Sequence, residues 1–282
     1  MSEREGEFVI RRILVALDAS RPSLAALEAA AGLAASVEAE LLGIFVEDIN
    51  LLRLASLPFA RQVSYASASA EPLDTPRMER ELRVKAEQAR SAMARAAERA
   101  QVQWSFRVVR GRVAPALLEA ASEADVLTVG KGASAPAGRA LGSTARAVTA
   151  NAPQALLLVQ HGAPLAAPVV LVYDGSPGSR QALGAAVRLA IALGNGLTVF
   201  VVAETPQAGE RLTEEVSKSV EGSGTTVHFR PVRGPDVTGL LRAVRREPVG
   251  VLVLSAAGVL GEESVRKLLH QVENPVLLIG VG

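Results

Sequence analysis

The residues best suited to chemistry in this chain lie in a glycine-rich segment, 129–144. Two triplets frame it, Gly130-Lys131-Gly132 and Gly142-Ser143-Thr144. The first triplet ends an apolar run and the second opens an amphipathic one. Glycine allows close approach of the backbone to a ligand, and the free N–H groups at a helix start attract anions. The segment therefore predicts a phosphate-binding loop, to which Lys131, Arg139 and Arg146 would add positive charge.

Two common phosphate motifs do not fit this segment. A Walker A loop requires Ser or Thr after its lysine, but Lys131 precedes Gly132, and Asp125 stands where the leading glycine belongs. A dinucleotide fingerprint belongs to the first strand–helix turn, which here carries Asp18. The alternative, a glycine loop that only caps a helix, stays open.

The elements that position this loop belong to an internal repeat. Apolar runs end in Asp18-Ala19-Ser20 and again in Asp174-Gly175-Ser176. Later matches, such as Val126–Val129 with Val251–Leu254, keep the same order but lie about 125 residues apart. The first copy therefore carries an insertion of about thirty residues, and the chain is predicted to be a tandem duplication.

Each copy alternates short apolar runs with amphipathic ones, which predicts parallel strands covered by helices. Strands are expected near 12–17, 41–46, 103–109, 125–129, 155–159, 168–173, 197–202, 225–232, 250–254 and 275–281. Helices are expected near 22–37, 78–100, 114–123, 143–150, 178–193, 207–220, 236–246 and 262–272. The fold class is α/β, with two tandem doubly wound, Rossmann-like domains, each built on a parallel five-stranded sheet.

The predicted domains are 1–160 and 168–282, joined by a short Pro/Gly-bearing linker. The insertion, 47–76, follows the second strand, at the edge where open α/β sheets bind ligands. Its front half, 49–59, is predicted to be a short apolar helix, and its back half, 64–72, a mobile loop. It could serve as a lid or a partner surface, or simply pack on the sheet edge.

Composition excludes several classes of protein. Thirty basic residues oppose twenty-nine acidic ones, so we expect neither nucleic acid nor a membrane surface as partner. Cysteine is absent, and His161, His228 and His270 show no metal-ligand spacing, so no metal site is expected. The sequence shows no signal peptide and no membrane-spanning run, which predicts a cytoplasmic protein.

Two motifs resemble those of the universal stress protein family. That family begins Ile-Leu-Val-Ala-x-Asp-x-Ser, as Ile13–Ser20 does, and carries a glycine loop, G-x2-G-x9-G-(S/T), after its fourth strand. Gly132, nine residues and Gly142-Ser143 match the second part of the loop pattern. In the first part the leading glycine falls at Gly130 and position 129 is valine, giving G-x-G.

The resemblance implies an adenine nucleotide alpha hydrolase-like fold that binds ATP or a related adenine nucleotide, with Mg²⁺ as a phosphate counter-ion. Carried over position by position, the implied ligand residues are Asp18, Val46, Gly130, Gly132, Gly142, Ser143 and Thr144. Asp18 also suits a purely structural role as a helix N-cap. The resemblance further implies pairing of the last strands of the two copies as an intramolecular pseudo-dimer, while a further homodimer stays open.

The second copy is expected not to bind ATP. Its loop is shorter, and Glu262 and Glu263 open the following helix, where they would repel a phosphate. Neither copy offers a catalytic constellation, although Glu47 and Asp48 could approach a nucleotide-bound metal. We therefore expect a stress-response regulatory protein rather than an enzyme. The alternatives are a protein-interaction module with both sites degenerate, which would have an unidentified protein partner, and a slow ATP hydrolase.

Overall fold

The computed structural model describes residues 8–57, 59–64, 69–72, 74–132, 141–151, 154–160, 162–234 and 236–280. Within them, the first half of the chain contains β1 (Arg12–Leu17), α1 (Arg21–Val37), β2 (Glu40–Asp48), α2 (Ile49–Ala55), β3 (Arg61–Ser64), β4 (Ser69–Pro72), α3 (Thr75–Ala100), β5 (Trp104–Gly111), α4 (Val113–Ala121), β6 (Val126–Gly130), α5 (Ser143–Ala150) and β7 (Ala155–Val159).

The second half repeats this order without the insertion. It contains β8 (Val169–Tyr173), α6 (Pro177–Leu193), β9 (Gly196–Ala203), α7 (Pro206–Val220), β10 (Thr226–Arg233), α8 (Val237–Arg246), β11 (Val251–Ser255), α9 (Gly261–Gln271) and β12 (Val276–Ile279). Outside the insertion, every predicted strand and helix is present, with ends within three residues of those expected.

Ten of these strands form one sheet, in the order β10-β9-β8-β11-β12-β7-β6-β1-β2-β5. Each half follows the same doubly wound pattern, with its first strand beside its second on one side and its fourth on the other. In this sheet, strands of the same half pair in parallel, whereas β7 and β12 pair antiparallel, Leu157 facing Leu277. The predicted fold class is confirmed, and the last strands of the two halves pair within the chain as the resemblance implied.

The core lies on both faces of this sheet. Every residue of β7 and β8 is buried, as expected for strands that helices cover on both sides. Aromatic side chains make up 3% of the chain, so Ala, Val and Leu fill most of the core. In α3 the residues Leu82, Ala86, Ala89 and Met93 are buried at helical spacing, as the sequence pattern predicted.

The insertion differs from the expectation. Helix α2 ends at Ala55 rather than near residue 59, and the predicted mobile loop contributes to an antiparallel pair of strands, β3 with β4. Arg61 faces Pro72 and Ser64 faces Ser69, while 65–68 lie outside the described residues. The backbone ladder of such a pair needs no particular side chains, and the segment lacks the alternating β-branched residues that would signal a strand.

Candidate functional site

A cavity of about 410 Å³ opens at the carboxyl edge of the strands in the first half. It spans the ends of β1, β2 and β6 and the starts of α4 and α5. This is where the strand order reverses between β1 and β6, the usual ligand position in doubly wound sheets. Seven lining residues are those predicted from the sequence: Asp18, Val46, Gly130, Gly132, Gly142, Ser143 and Thr144.

The start of α5 supplies hydrogen-bond donors to this cavity. Its first intrahelical bond runs from the Arg146 amide to the Gly142 carbonyl, at 2.9 Å. The amides of Ser143, Thr144 and Ala145 therefore have no acceptor within the helix. Gly142, the N-cap, has no side chain that could satisfy them. These three residues line the cavity, so α5 presents its positive dipole end to it.

Gly130 has a packing role beside its place in the cavity. A Cβ atom there would lie 2.6 Å from the carbonyl carbon and 2.7 Å from the carbonyl oxygen of Pro22, in the first turn of α1. Those are backbone atoms that cannot move aside cheaply. Gly132 is not constrained in this way, since its nearest described neighbour, Pro22 Cγ, would be 3.7 Å from an added Cβ. The first glycine thus lets α1 pack against the end of β6.

Lys131 does not contribute its charge to the cavity, contrary to the sequence-based expectation. Its side chain is buried, and the ammonium donates a hydrogen bond to the Val272 carbonyl, at the C-terminal end of α9. The backbone here is fixed by the neighbouring strand, because the Lys131 amide donates to the Val159 carbonyl at 2.7 Å. The strand therefore directs this side chain into the junction with the second half. Arg139 lies outside the described residues, and Arg146 is exposed and does not line the cavity.

Because Lys131 is buried, its contribution to the free energy of unfolding should depend on pH. Desolvation lowers the pKa of Lys131 to about 8, although the nearby Glu273 carboxylate partly opposes the shift. Between that pKa and the ordinary value of about 10.4, the unfolded chain binds the proton and the folded chain does not. The lysine's contribution to stability should therefore rise with pH across that interval, by up to about 3 kcal/mol.

Comparing the wild type with Lys131→Met tests this expectation. Chemical denaturation between pH 7 and pH 10 should show the difference in free energy of unfolding moving in favour of the wild type as pH rises. Methionine keeps most of the length of the side chain but does not titrate. If the free energies of unfolding of the two proteins differ by the same amount at every pH in this range, the burial of the ammonium group is contradicted.

Several cavity residues were not predicted from the sequence. Leu51 of α2 and Leu82 and Lys85 of α3 also line the cavity. Of the two acids suggested as metal-facing, Asp48 lines the cavity and also caps α2 through the Asn50 amide at 2.9 Å. Glu47 instead pairs with Arg110 at 2.9 Å. The i, i+3 spacing of Leu82 and Lys85 indicated that they share one face of α3. The sequence did not show which strand ends that face would lie against.

Asp18 stabilises the turn after β1 without capping α1. Its Oδ1 accepts from the Ser20 amide at 2.9 Å, and Ser20 is itself the N-cap, accepting from the Ser23 amide. The N-cap role considered for Asp18 is therefore wrong. Asp18 is exposed at the cavity, and its Oδ2 makes no hydrogen bond to another described residue.

The equivalent carboxylate in the second half bonds to the loop after β11. Asp174 Oδ1 accepts from the Ser176 amide at 2.9 Å, and Oδ2 accepts from the Val259 amide at 2.6 Å. Burial raises the pKa of Asp174, but the hydrogen bonds from Ser176 and Val259 outweigh it and hold the pKa below its usual value. A side chain of the same half thus accepts the hydrogen bond of this loop amide.

Helix α7 packs over the turn after β8 in the second half. Tyr173 donates to Glu215 Oε1 at 2.6 Å, and Arg180 donates to the same oxygen at 2.6 Å. This cluster joins α7 to the end of β8 and to α6. Leu212 of α7 lies over Gly175, where an added Cβ would be 2.5 Å from Leu212 Cδ2. Glu262 and Glu263 lie in the first turn of α9, as expected.

The described residues hold neither a metal-binding cluster nor a membrane span. Across 8–280, apart from the short gaps given above, no group of three or more His, Asp or Glu side chains could hold a metal ion. In that same part of the chain, no helix is long and apolar enough to cross a bilayer.

Comparison with known proteins agrees with this architecture. The sequence model of the universal stress protein family matches residues 10–160, more than half of the chain and all of β1 to β7. A duplicated, doubly wound α/β protein is the class that the fold defines. The chain belongs to the universal stress protein family. No protein with curated function matches the sequence.

Solved structures resemble the whole chain. A universal stress protein from Archaeoglobus fulgidus DSM 4304 aligns over 96% of this chain and 98% of its own, with TM-score 0.76 and 18% identity. A protein of unknown function from Pseudomonas aeruginosa PAO1 aligns over 97% and 94%, with TM-score 0.61 and 15% identity. The cytoplasmic domain of a prokaryotic cation chloride cotransporter aligns over 96% and 95%, with TM-score 0.51 and 11% identity. At these identities the likeness shows the fold alone.

Proposed function

We propose that this chain is a cytoplasmic stress-response regulatory protein that binds ATP, or a related adenine nucleotide, in the cavity of its first half. One observation carries the proposal. Seven residues implied by the family resemblance, which span Asp18 to Thr144, line a single cavity at the topological switch point. Its volume of about 410 Å³ falls within the range of small-molecule sites. The unpaired amides at the start of α5 suit a phosphate group.

The proposal assigns different roles to the two halves. Residues 1–160 would form the nucleotide-binding domain and residues 168–282 a domain that supports it. In the second half, Asp174 bonds to the Val259 amide, and two carboxylates open α9. Both features disfavour a phosphate there, so one nucleotide is proposed to bind per chain.

A magnesium ion bound with the nucleotide would rely mainly on the phosphates. Of the described acids, Asp18 and Asp48 line the cavity, and Asp48 Oδ1 is engaged in capping α2. Mg²⁺ commonly binds through one or two carboxylates together with phosphate oxygens and water, so these residues fit such an ion. The ion would offset the negative charge of the nucleotide beside the two carboxylates.

A protein-interaction module without nucleotide is the second candidate. The G-x-G spacing favours it, because the first glycine of the loop is needed for packing against Pro22. The insertion offers an apolar surface, with Leu54 and Phe59 exposed by 50% and 77%. A partner bound there would leave the nucleotide cavity without a role.

Equilibrium binding of a fluorescent ATP analogue, with unlabelled ATP as competitor, separates the two candidates. The nucleotide proposal predicts saturable binding that ATP displaces. Absence of binding at millimolar concentration would overturn it and leave the interaction module. A slow hydrolase would in addition release phosphate, and a residue as bulky as tryptophan in place of Ser143 should then abolish turnover together with binding.

A further inference from the structure

Helix α3 differs from its counterpart in the second half in length and reach. It has 26 residues and is therefore about 39 Å long, whereas the adjacent strand β5 has 8 residues and spans about 26 Å. The counterpart, α7, has 15 residues and is about 22 Å long. The extra turns of α3 pack against α2 of the insertion. They bring Leu82 and Lys85 to the cavity beyond the end of β2.

The orientation of α3 directs Lys85 towards the ligand position. The helix begins on the carboxyl side of the sheet, because it follows β2, and side chains on a helix lean towards its N-terminus. Leu82 and Lys85 are three residues apart and share one face. The buried Leu82 fixes that face against the core, and the lysine stem extends from it to the cavity.

Charge makes Lys85 distinctive within this cavity. Among the described lining residues it is the one cation, opposite the carboxylates of Asp18 and Asp48. Its ammonium makes no ion pair or hydrogen bond with another described residue. Lys131, the cation nearest in sequence to the glycine loop, is committed to the Val272 carbonyl. Lys85 is therefore the described side chain that can offset the charge of an anionic ligand beside two carboxylates, together with any bound magnesium ion.

We infer that Lys85 binds a phosphate oxygen of the nucleotide and sets the preference of the site for phosphorylated ligands. The inference rests on the proposed function, since it requires a nucleotide in this cavity. It also gives the insertion a specific role, because α2 packs against α3, and α3 supplies a cation that the described part of the glycine loop does not. The shorter α7 supplies no equivalent, since Leu212 packs over the turn after β8.

The test compares Lys85→Met with Arg83→Met in the whole chain. Arg83 lies on the same helix, is exposed and does not line the cavity, so both variants lose one positive charge from α3. Isothermal titration with ATP, AMP and adenosine measures the affinities. We expect Lys85→Met to weaken ATP binding about tenfold or more, AMP binding less, and adenosine binding not at all. Arg83→Met should match the wild type, and Lys85→Arg should keep most of the affinity for ATP.

The possible results distinguish a failure of the Lys85 contact from a failure of nucleotide binding itself. If the wild type binds ATP and Lys85→Met binds it equally well, the inference is wrong and the proposed function stands. An equal loss of affinity for ATP and adenosine places Lys85 at the base or ribose and overturns the phosphate contact. A wild type that binds no nucleotide overturns the proposed function together with the inference.

Discussion

Replacement of Gly130 by alanine is expected to lower the free energy of unfolding by about 2 to 3 kcal/mol. The added Cβ would lie 2.6 to 2.8 Å from three atoms of Pro22, two of them backbone. Relief requires the first turn of α1 to move away from the end of β6. That turn also carries Ser23, so the cavity wall would move with it. Urea denaturation followed by circular dichroism measures the change.

Gly132→Ala is the matched control for this prediction. It adds the same methyl group two residues later, with its nearest described neighbour at 3.7 Å. Neither glycine has a left-handed backbone, so alanine causes no strain in φ at either position. We expect the control to change stability by less than about 0.5 kcal/mol. Similar losses for both variants would show that Pro22 does not pack against Gly130 as described.

Substitution of Ser143 by glutamate should reduce ATP affinity by roughly several hundredfold. The change places a carboxylate in the first turn of α5, as Glu262 does in α9. Two unit charges 4 Å apart repel by about 4 kcal/mol at an effective dielectric near 20, and 1.4 kcal/mol corresponds to tenfold in affinity. Stability should not fall, because a negative charge at a helix start is favourable by about 0.3 to 1 kcal/mol.

Ser143→Gln separates charge from size in this experiment. Glutamine has the same bulk as glutamate without the charge, so we expect it to lose about tenfold at most, for the missing hydroxyl contact. Titration calorimetry of both variants, with thermal unfolding alongside, gives affinity and stability together. Equal losses for glutamate and glutamine would argue against a phosphate at the start of α5.

The strands and helices outside the insertion were predictable because the hydrophobic pattern and the internal duplication, which are independent of each other, indicate the same elements. Apolar runs such as Val169–Tyr173 are buried on both faces of the sheet, and the stripe from Leu82 to Met93 is buried at helical spacing. The duplication provided each element with a second example in the other half. The candidate site residues were implied by the family resemblance, and they line one cavity because they follow strand ends that a doubly wound sheet brings together at one edge.

Features that depend on side-chain direction or on packing between distant segments were not predictable. Lys131 looked like part of a phosphate loop, but the strand directs it into the junction, where the Val272 carbonyl accepts its hydrogen bond. The hydrogen bond between Asp174 and the Val259 amide joins segments 85 residues apart, so it could not be predicted from the sequence. The pairing of β3 with β4 depends on backbone atoms and left no side-chain pattern.

The two halves also differ in which element carries the glycine where α1 packs against the end of β6 and α6 packs against the end of β11. In the first half, Pro22 of α1 packs against Gly130, so the small residue lies on the strand end. In the second half, the glycine is on the helix: Gly178 of α6 packs against Ser255 at the end of β11, where an added Cβ would be 2.2 Å from Ser255 Oγ. Because the glycine of this contact lies on α6, residue 255 at the end of β11 need not be glycine. The absence of a glycine there therefore does not disturb the packing of α6 against β11.

Native mass spectrometry of the whole chain titrated with ATP tests the central claim most directly, because it counts the bound ligands. An open cavity in the first half, and carboxylates that disfavour a phosphate in the second, predict one nucleotide per chain, lost in Ser143→Glu. Two nucleotides per chain would contradict the proposal that the second half does not bind one. No bound nucleotide at millimolar ATP would contradict the nucleotide site itself.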